Sequence, residues 1–155
     1  MGLRLTRAAD YAVRGMMHLG SIREGGVALS DEIAEAQHIP PSFMAKILRQ
    51  LVKSGLLRSA RGVNGGFGLA RTAAEINLLD IVEAVEGPIH LTDCAPDPDH
   101  CALSHDCPAS SVWLEVQLRM TGLLRETTLE ALLSAPRRNR RAVYSIGAGV
   151  PPQAD

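Results

Sequence analysis

Cys94, Cys101 and Cys107 are the only thiols in this 155-residue chain, and they fall in one short Pro-containing stretch. Thiolates gathered in a single loop hold borderline or soft metals, either zinc in a tetrahedral site or the iron of an iron–sulfur cluster. The spacing does not pair them as the CxxC units of a zinc ribbon. An odd count without a secretory signal also argues against a disulfide framework. A zinc site would take its fourth ligand from His100 or His105. A cluster held by three thiolates and one weaker ligand leaves iron open to nitric oxide, to oxygen or to loss, which suits a sensor. The plain alternative is three unrelated reduced thiols, since cysteine often serves as a small hydrophobe. Asp93, Asp97, Asp99 and Asp106 crowd the same stretch. Beside an anionic cluster these carboxylates must face water or act as ligands. A nucleophilic Cys94 or Cys107 with a histidine base is a further arrangement. Nothing in the sequence supplies an oxyanion hole or a substrate cleft, so the chain is not read as an enzyme.

The second chemically pointed set is cationic. From Ile39 to Ala74 the chain holds Lys46, Arg49, Lys53, Arg58, Arg61 and Arg71 and no Asp or Glu. From Thr72 to Leu118 nine acids occur with no Lys or Arg, so the net charge of −1 conceals a split. Ser42, Lys46, Arg49 and Lys53 are spaced three and four apart, which puts them on one side of a helix opening at Pro41 or Ser42. Its expected buried stripe is Phe43, Ile47, Leu48, Leu51 and Val52, and Gly55 ends it. A short helix capped by Ser30 and ending near His38 precedes it. Leu56–Ala60 and Phe67–Ala70 read as strands, and Asn64-Gly65 between them is a hairpin-turn signal. Two short helices, the second basic on its outer face, followed by a hairpin, form the pattern of a helix-turn-helix with a wing. The sequence thus predicts binding to a double-stranded DNA operator, with Ser42, Lys46, Arg49, Arg58, Arg61, Asn64 and Gly65 as candidate contacts.

Other elements must position these two sets. Apolar spacing predicts a first helix over Leu5–Ile22, capped by Thr6, and a short amphipathic helix over Leu78–Val85 closed by Gly87. The stretch Ile89–Pro108 is too irregular for regular structure, and a loop of that length is usually functional or disordered. Helical periodicity returns over Ala109–Leu133, giving an expected helix of about 35 Å. Leu114, Leu118 and Leu132 add apolar surface on its other flank, more than one winged-helix domain covers, so a second copy of the chain is expected there, the alternative being a helix folded back onto its own domain. The tail, with Arg137, Arg138, Arg140 and Arg141, has no periodicity and reads as disordered.

Composition sets the outer bounds. Apolar residues make up 46% of the chain and aromatic residues 3%, so the core must be aliphatic. No apolar run of about 18 residues suggests a membrane span, and the first residues lack a signal-peptide core. The default expectation is a cytoplasmic protein.

Several segments together resemble a known family. Leu5-Thr6 with Asp10-Tyr11-Ala12-Val13-Arg14, the wing RGVNGGFGLAR, the helix LLDIVEAVEGP, the three-cysteine loop and the late TTLEALL are similar to the IscR/NsrR-type (Rrf-two) family of winged-helix transcriptional regulators. The resemblance covers residues 3 to 134. It implies a mainly α fold with a small β-hairpin wing: a winged helix-turn-helix domain over residues 1–87, a cluster-binding cysteine loop over 88–108, a dimerisation helix over 109–134 and a disordered tail over 135–155. It further implies a homodimeric regulator, by family default a repressor. Its operator binding would be governed by a 2Fe–2S or 4Fe–4S cluster that senses redox state, nitric oxide or iron supply. Cys94, Cys101 and Cys107 match the cluster thiolates. The IscR-like members place a histidine where this chain has Ser110, whereas the NsrR-like members lend an aspartate from the partner subunit, and Asp10 matches that place. Asp10 is equally placed to pair with Arg7 or Arg14. Ser42 and Arg61 match DNA-contacting residues, while Ala45 stands where IscR-like proteins read a base with glutamate. A regulator of the same shape that needs no cluster and answers to a metabolite or partner protein is the alternative.

Overall fold

The computed structural model describes residues 5–62, 65–92 and 106–135. Val63, Asn64, residues 93–105 with Cys94, Cys101, His100 and His105, and the tail from residue 136 onward lie outside the described residues. The elements run α1 (Arg7–Ser21), α2 (Ser30–Gln37), α3 (Pro41–Lys53), β1 (Leu57–Ala60), β2 (Gly66–Leu69), α4 (Leu78–Glu86), α5 (Ser110–Glu126) and α6 (Leu129–Ser134). None of these helices is long and apolar enough to cross a membrane.

The core forms where α1, α3, α4 and α6 bring their apolar stripes together. It is aliphatic and methionine-rich, with Met16, Ile33, Met44, Leu48, Leu51, Ile76, Ile81 and Leu129 fully buried, while Tyr11 and Phe67 only edge it. Thr6 caps α1 as the sequence implies, its hydroxyl oxygen accepting the N–H groups of Ala8 and Ala9 at 3.1 and 3.3 Å. The same hydroxyl donates to the Glu86 carboxylate and so ties the start of α1 to the end of α4.

Two details of the helix-turn-helix differ from the sequence expectation. Ser30 is not the cap of α2. The chain stays extended through Leu29, whose N–H donates to Glu32 Oε2 at 2.8 Å, and Ser30 becomes the first helical residue. The second concerns α3, where the buried stripe is Met44, Ile47, Leu48 and Leu51. These four keep the i, i+3, i+4, i+7 spacing of one face. Phe43 lies one residue out of that register and is 56% exposed. His38 closes α2 in the left-handed region with φ 53°, and Ile39 N–H reaches Ala34 O at 2.9 Å, so the turn into Pro40-Pro41 is tight.

The wing is the expected antiparallel hairpin, in register Leu57↔Leu69 through Ala60↔Gly66. Ala28 pairs with Phe67 along its free edge, with N–H to O distances of 3.0 and 2.9 Å in the two directions. Glycine is required at Gly66, which has φ 150° and where a Cβ would meet Ala28 O at 2.5 Å.

The largest correction lies at the C-terminal end. The single helix expected over 109–133 is two helices, broken at Thr127-Thr128. Leu78 N–H donates to Thr127 O and Leu129 N–H to Ile76 O, both at 2.8 Å, which pulls this pair into an extended bridge with Asn77. Thr128 then caps α6 by accepting Ala131 N–H at 3.1 Å. Leu129 is fully buried and Leu133 packs against the core, so α6 is part of the winged domain. The remaining helix, α5, is 17 residues, or about 25 Å, and none of its residues is buried.

Candidate nucleic-acid interface

Opposite its buried stripe, α3 presents Ser42, Lys46, Arg49 and Lys53, all exposed. The ion pairs among the described residues are Arg14–Asp10, Arg71–Asp80 and Arg119–Glu115. None of Lys46, Arg49, Lys53 or Arg61 takes part in one. These cations are uncompensated within the described fold, the condition for drawing phosphate from water and releasing its counterions. The helix frame brings Ser42, Lys46 and Arg49 to one face.

Arg61 follows β1 and is exposed at the far end of the wing. Gly65 N–H donates to Gly62 O at 2.9 Å, which makes Gly65 the last residue of the turn and not a central one. Asn64 lies outside the described residues. Arg58 is also exposed, but its Nη2 donates to Gly25 O at 2.7 Å. The guanidinium thereby braces the wing against the loop between α1 and α2, with its other donors left for solvent or phosphate. Just past the wing, the Thr72 hydroxyl and backbone N–H donate to Glu75 Oε2 at 2.7 and 2.9 Å. The hydroxyl bond first, then the backbone bond, hold the Glu75 carboxyl below its ordinary value.

Of the cysteines, Cys107 alone falls among the described residues, as a half-buried free thiol just before α5. Its carbonyl accepts the N–H and the hydroxyl of Ser110 at 3.1 and 2.8 Å, so Ser110 is engaged in starting the helix. Asp10 is exposed on α1 and pairs with Arg14 at 3.4 Å, whose guanidinium lies 5.7 Å from the Tyr11 ring centre. Among the described residues no three His, Cys, Asp or Glu side chains gather as a metal site.

Gln117 carries no local signal in the sequence, yet it clamps the chain leading to the cysteines. Its Oε1 accepts Leu91 N–H at 2.9 Å, and its Nε2 donates to Ile89 O. The entrance to residues 93–105 is thereby fastened to the middle of α5.

The model of the Rrf2 family, described as an iron-dependent transcriptional regulator, matches residues 5–135. The chain belongs to the Rrf2 family. A Mycobacterium tuberculosis protein described as an HTH-type transcriptional regulator is 35% identical over 127 residues, covering 82% of this chain and 79% of the relative. The regulator IscR of Photorhabdus laumondii is 33% identical over 133 residues, covering 85% and 80% of the two chains. Among solved structures, T. potens IscR superposes with a TM-score of 0.69 at 26% identity, over 93% of this chain and 98% of that one. CymR, the global cysteine regulator of B. subtilis, superposes at 0.71 with 24% identity, over 86% and 98%, and shares the fold. This Rrf2-family chain is therefore a DNA-binding transcriptional regulator, and its relatives are regulators, not enzymes.

Proposed function

We propose that this regulator is a homodimeric repressor whose hold on a double-stranded operator is set by an iron–sulfur cluster on Cys94, Cys101 and Cys107. The observation that carries the reading is the donor set. All three thiols of the chain fall in one segment, Cys107 is free at the head of α5, and the entrance to the segment is clamped to that helix by Gln117. Similarity to IscR supports the same cofactor. A bound cluster supplies a redox- and nitric-oxide-labile centre. The chain supplies the thiolates, the clamp and a helix through which a change can reach a second copy. Asp10 is the candidate fourth ligand, and to serve it must leave Arg14. Ser42, Lys46, Arg49 and Arg61 are the proposed DNA contacts, with Gly65, Asn64 and the remaining donors of Arg58 as wing contacts. The apolar face of α5 supports pairing of two copies.

Purification without air, followed by absorption, iron and sulfide analysis, tests the cofactor. The expected product is brown and carries both elements, and the triple cysteine-to-alanine variant is colourless. Colourless, metal-free protein even after reconstitution overturns the cluster. The engaged Ser110 and the paired Asp10 favour the second reading, a cluster-free regulator of the same shape. Full operator affinity and intact control in cells for the triple variant would establish it.

A further inference from the structure

The first turn of α3 places three neutral, exposed side chains, Pro41, Ser42 and Phe43, ahead of the cationic run Lys46, Arg49 and Lys53. Phe43 is the anomaly. It is neither in the buried cluster nor among the apolar residues packed against it, and Met44 fills the core place beside it. Phe43, Lys46 and Gln50 follow one line along the helix at i, i+3 and i+7. The ring thus stands on the flank of the cationic face, in the turn that a groove-entering helix presents to base edges.

The chemistry of the turn narrows what it can read. α3 contains no Asp or Glu, so it offers no carboxylate to a cytosine amine. A phenyl ring makes no hydrogen bond to a base edge. The one apolar group that the major groove displays is the C5-methyl of thymine. We propose that Phe43 packs on a thymine methyl in the operator and makes this helix prefer thymine at that position. The proposal rests on the DNA reading of α3 and adds to it the base selected. Lys46, one turn on, holds the helix to the phosphates while the ring and the methyl leave water together.

The test uses the full chain and duplexes enriched by it from a random-sequence library. In the enriched duplex each thymine is replaced singly by deoxyuridine, which removes only the methyl. The wild type is expected to lose about four-fold in affinity at one thymine per recognition helix, the worth of one buried methyl. Phe43→Ala should bind the thymine and deoxyuridine duplexes equally at that position, and Phe43→Leu should keep part of the preference. Because Phe43 lies outside the core, both variants should unfold at the wild-type temperature. If Phe43→Ala keeps the wild-type thymine dependence, or if no thymine matters to the wild type, the proposal fails while DNA binding stands. If the wild type enriches no duplex at all, the DNA reading of α3 falls and this inference with it.

Discussion

α1 and α5 are close in length, at 15 and 17 residues, and opposite in what they bury. α1 sinks Ala9, Ala12, Gly15, Met16 and Leu19 into the winged domain, whereas α5 buries nothing and leaves Val112, Trp113, Leu114, Val116, Leu118 and Leu123 exposed. The contrast separates a head whose core closes within one chain from a helix whose apolar surface the described residues leave open. An isolated exposed leucine is ordinary, but Val112, Val116 and Leu123 share one face of α5 with Trp113 beside them, and an apolar stripe of that kind marks an interface. Leu114 and Leu118 lie on the other flank.

Substitutions can break this contrast. The largest effects should come from the head. Leu51→Ala should cost about 2–5 kcal/mol in denaturant unfolding, because it empties a fully packed site. Leu129→Ala should cost a similar amount, about 2–5 kcal/mol, although it lies beyond α5 in the chain. A loss below about 0.5 kcal/mol, the size of an ordinary surface change, would place α6 outside the head. Next comes Leu123→Glu, at a residue 66% exposed. It should weaken self-association by more than about ten-fold, roughly 1.4 kcal/mol, in sedimentation while leaving the unfolding of the head nearly unchanged. Equal association of wild type and variant would mean that the face is not the seam.

Smaller effects sharpen the picture of the head itself. Arg58→Ala removes the bond to Gly25 O and should cost about 0.5–1 kcal/mol, and hydrogen exchange should quicken in β1 and β2. No change in exchange would leave Arg58 as a DNA contact only. The smallest is a pH effect at Glu75. Its carboxyl sits below the ordinary value, so the stabilisation of this turn is present above the ordinary carboxylate range and fades as pH falls through the lowered value. Thr72→Val deletes the hydroxyl bond and should move the Glu75 titration upward in NMR. An unmoved midpoint would assign the shift elsewhere.

Much of the head was legible because its signals are local. The Thr6 cap, Pro41 at the start of α3, the cationic spacing from Ser42 to Lys53, and Gly87 at the end of α4 each declare themselves within one turn of helix. Failures came where a distant partner decides. Phe43 and Met44 are both apolar, and only the packing of α1 and α2 against α3 selects Met44. Ser30 and Leu29 exchange roles because Ala28 is held extended by Phe67, far along the chain. The periodicity from Ala109 to Leu133 continues through Thr127-Thr128, and it is the pairing with Ile76–Leu78 that interrupts it. For the candidate site, the cationic face was visible as spacing. The Arg58 bond to Gly25 and the Gln117 clamp depend on backbone groups that no sequence pattern marks.

The bridge between Asn77 and Thr128 also changes how the chain should be pictured. The segment between α4 and α6 begins and ends at neighbouring points of the head. A single proteolytic cut within it would leave two fragments still joined through Leu129 and Ile76, with the DNA-facing half intact. A change in α5 would therefore reach the head at two places, the start of α4 and the packing of α5 against α4.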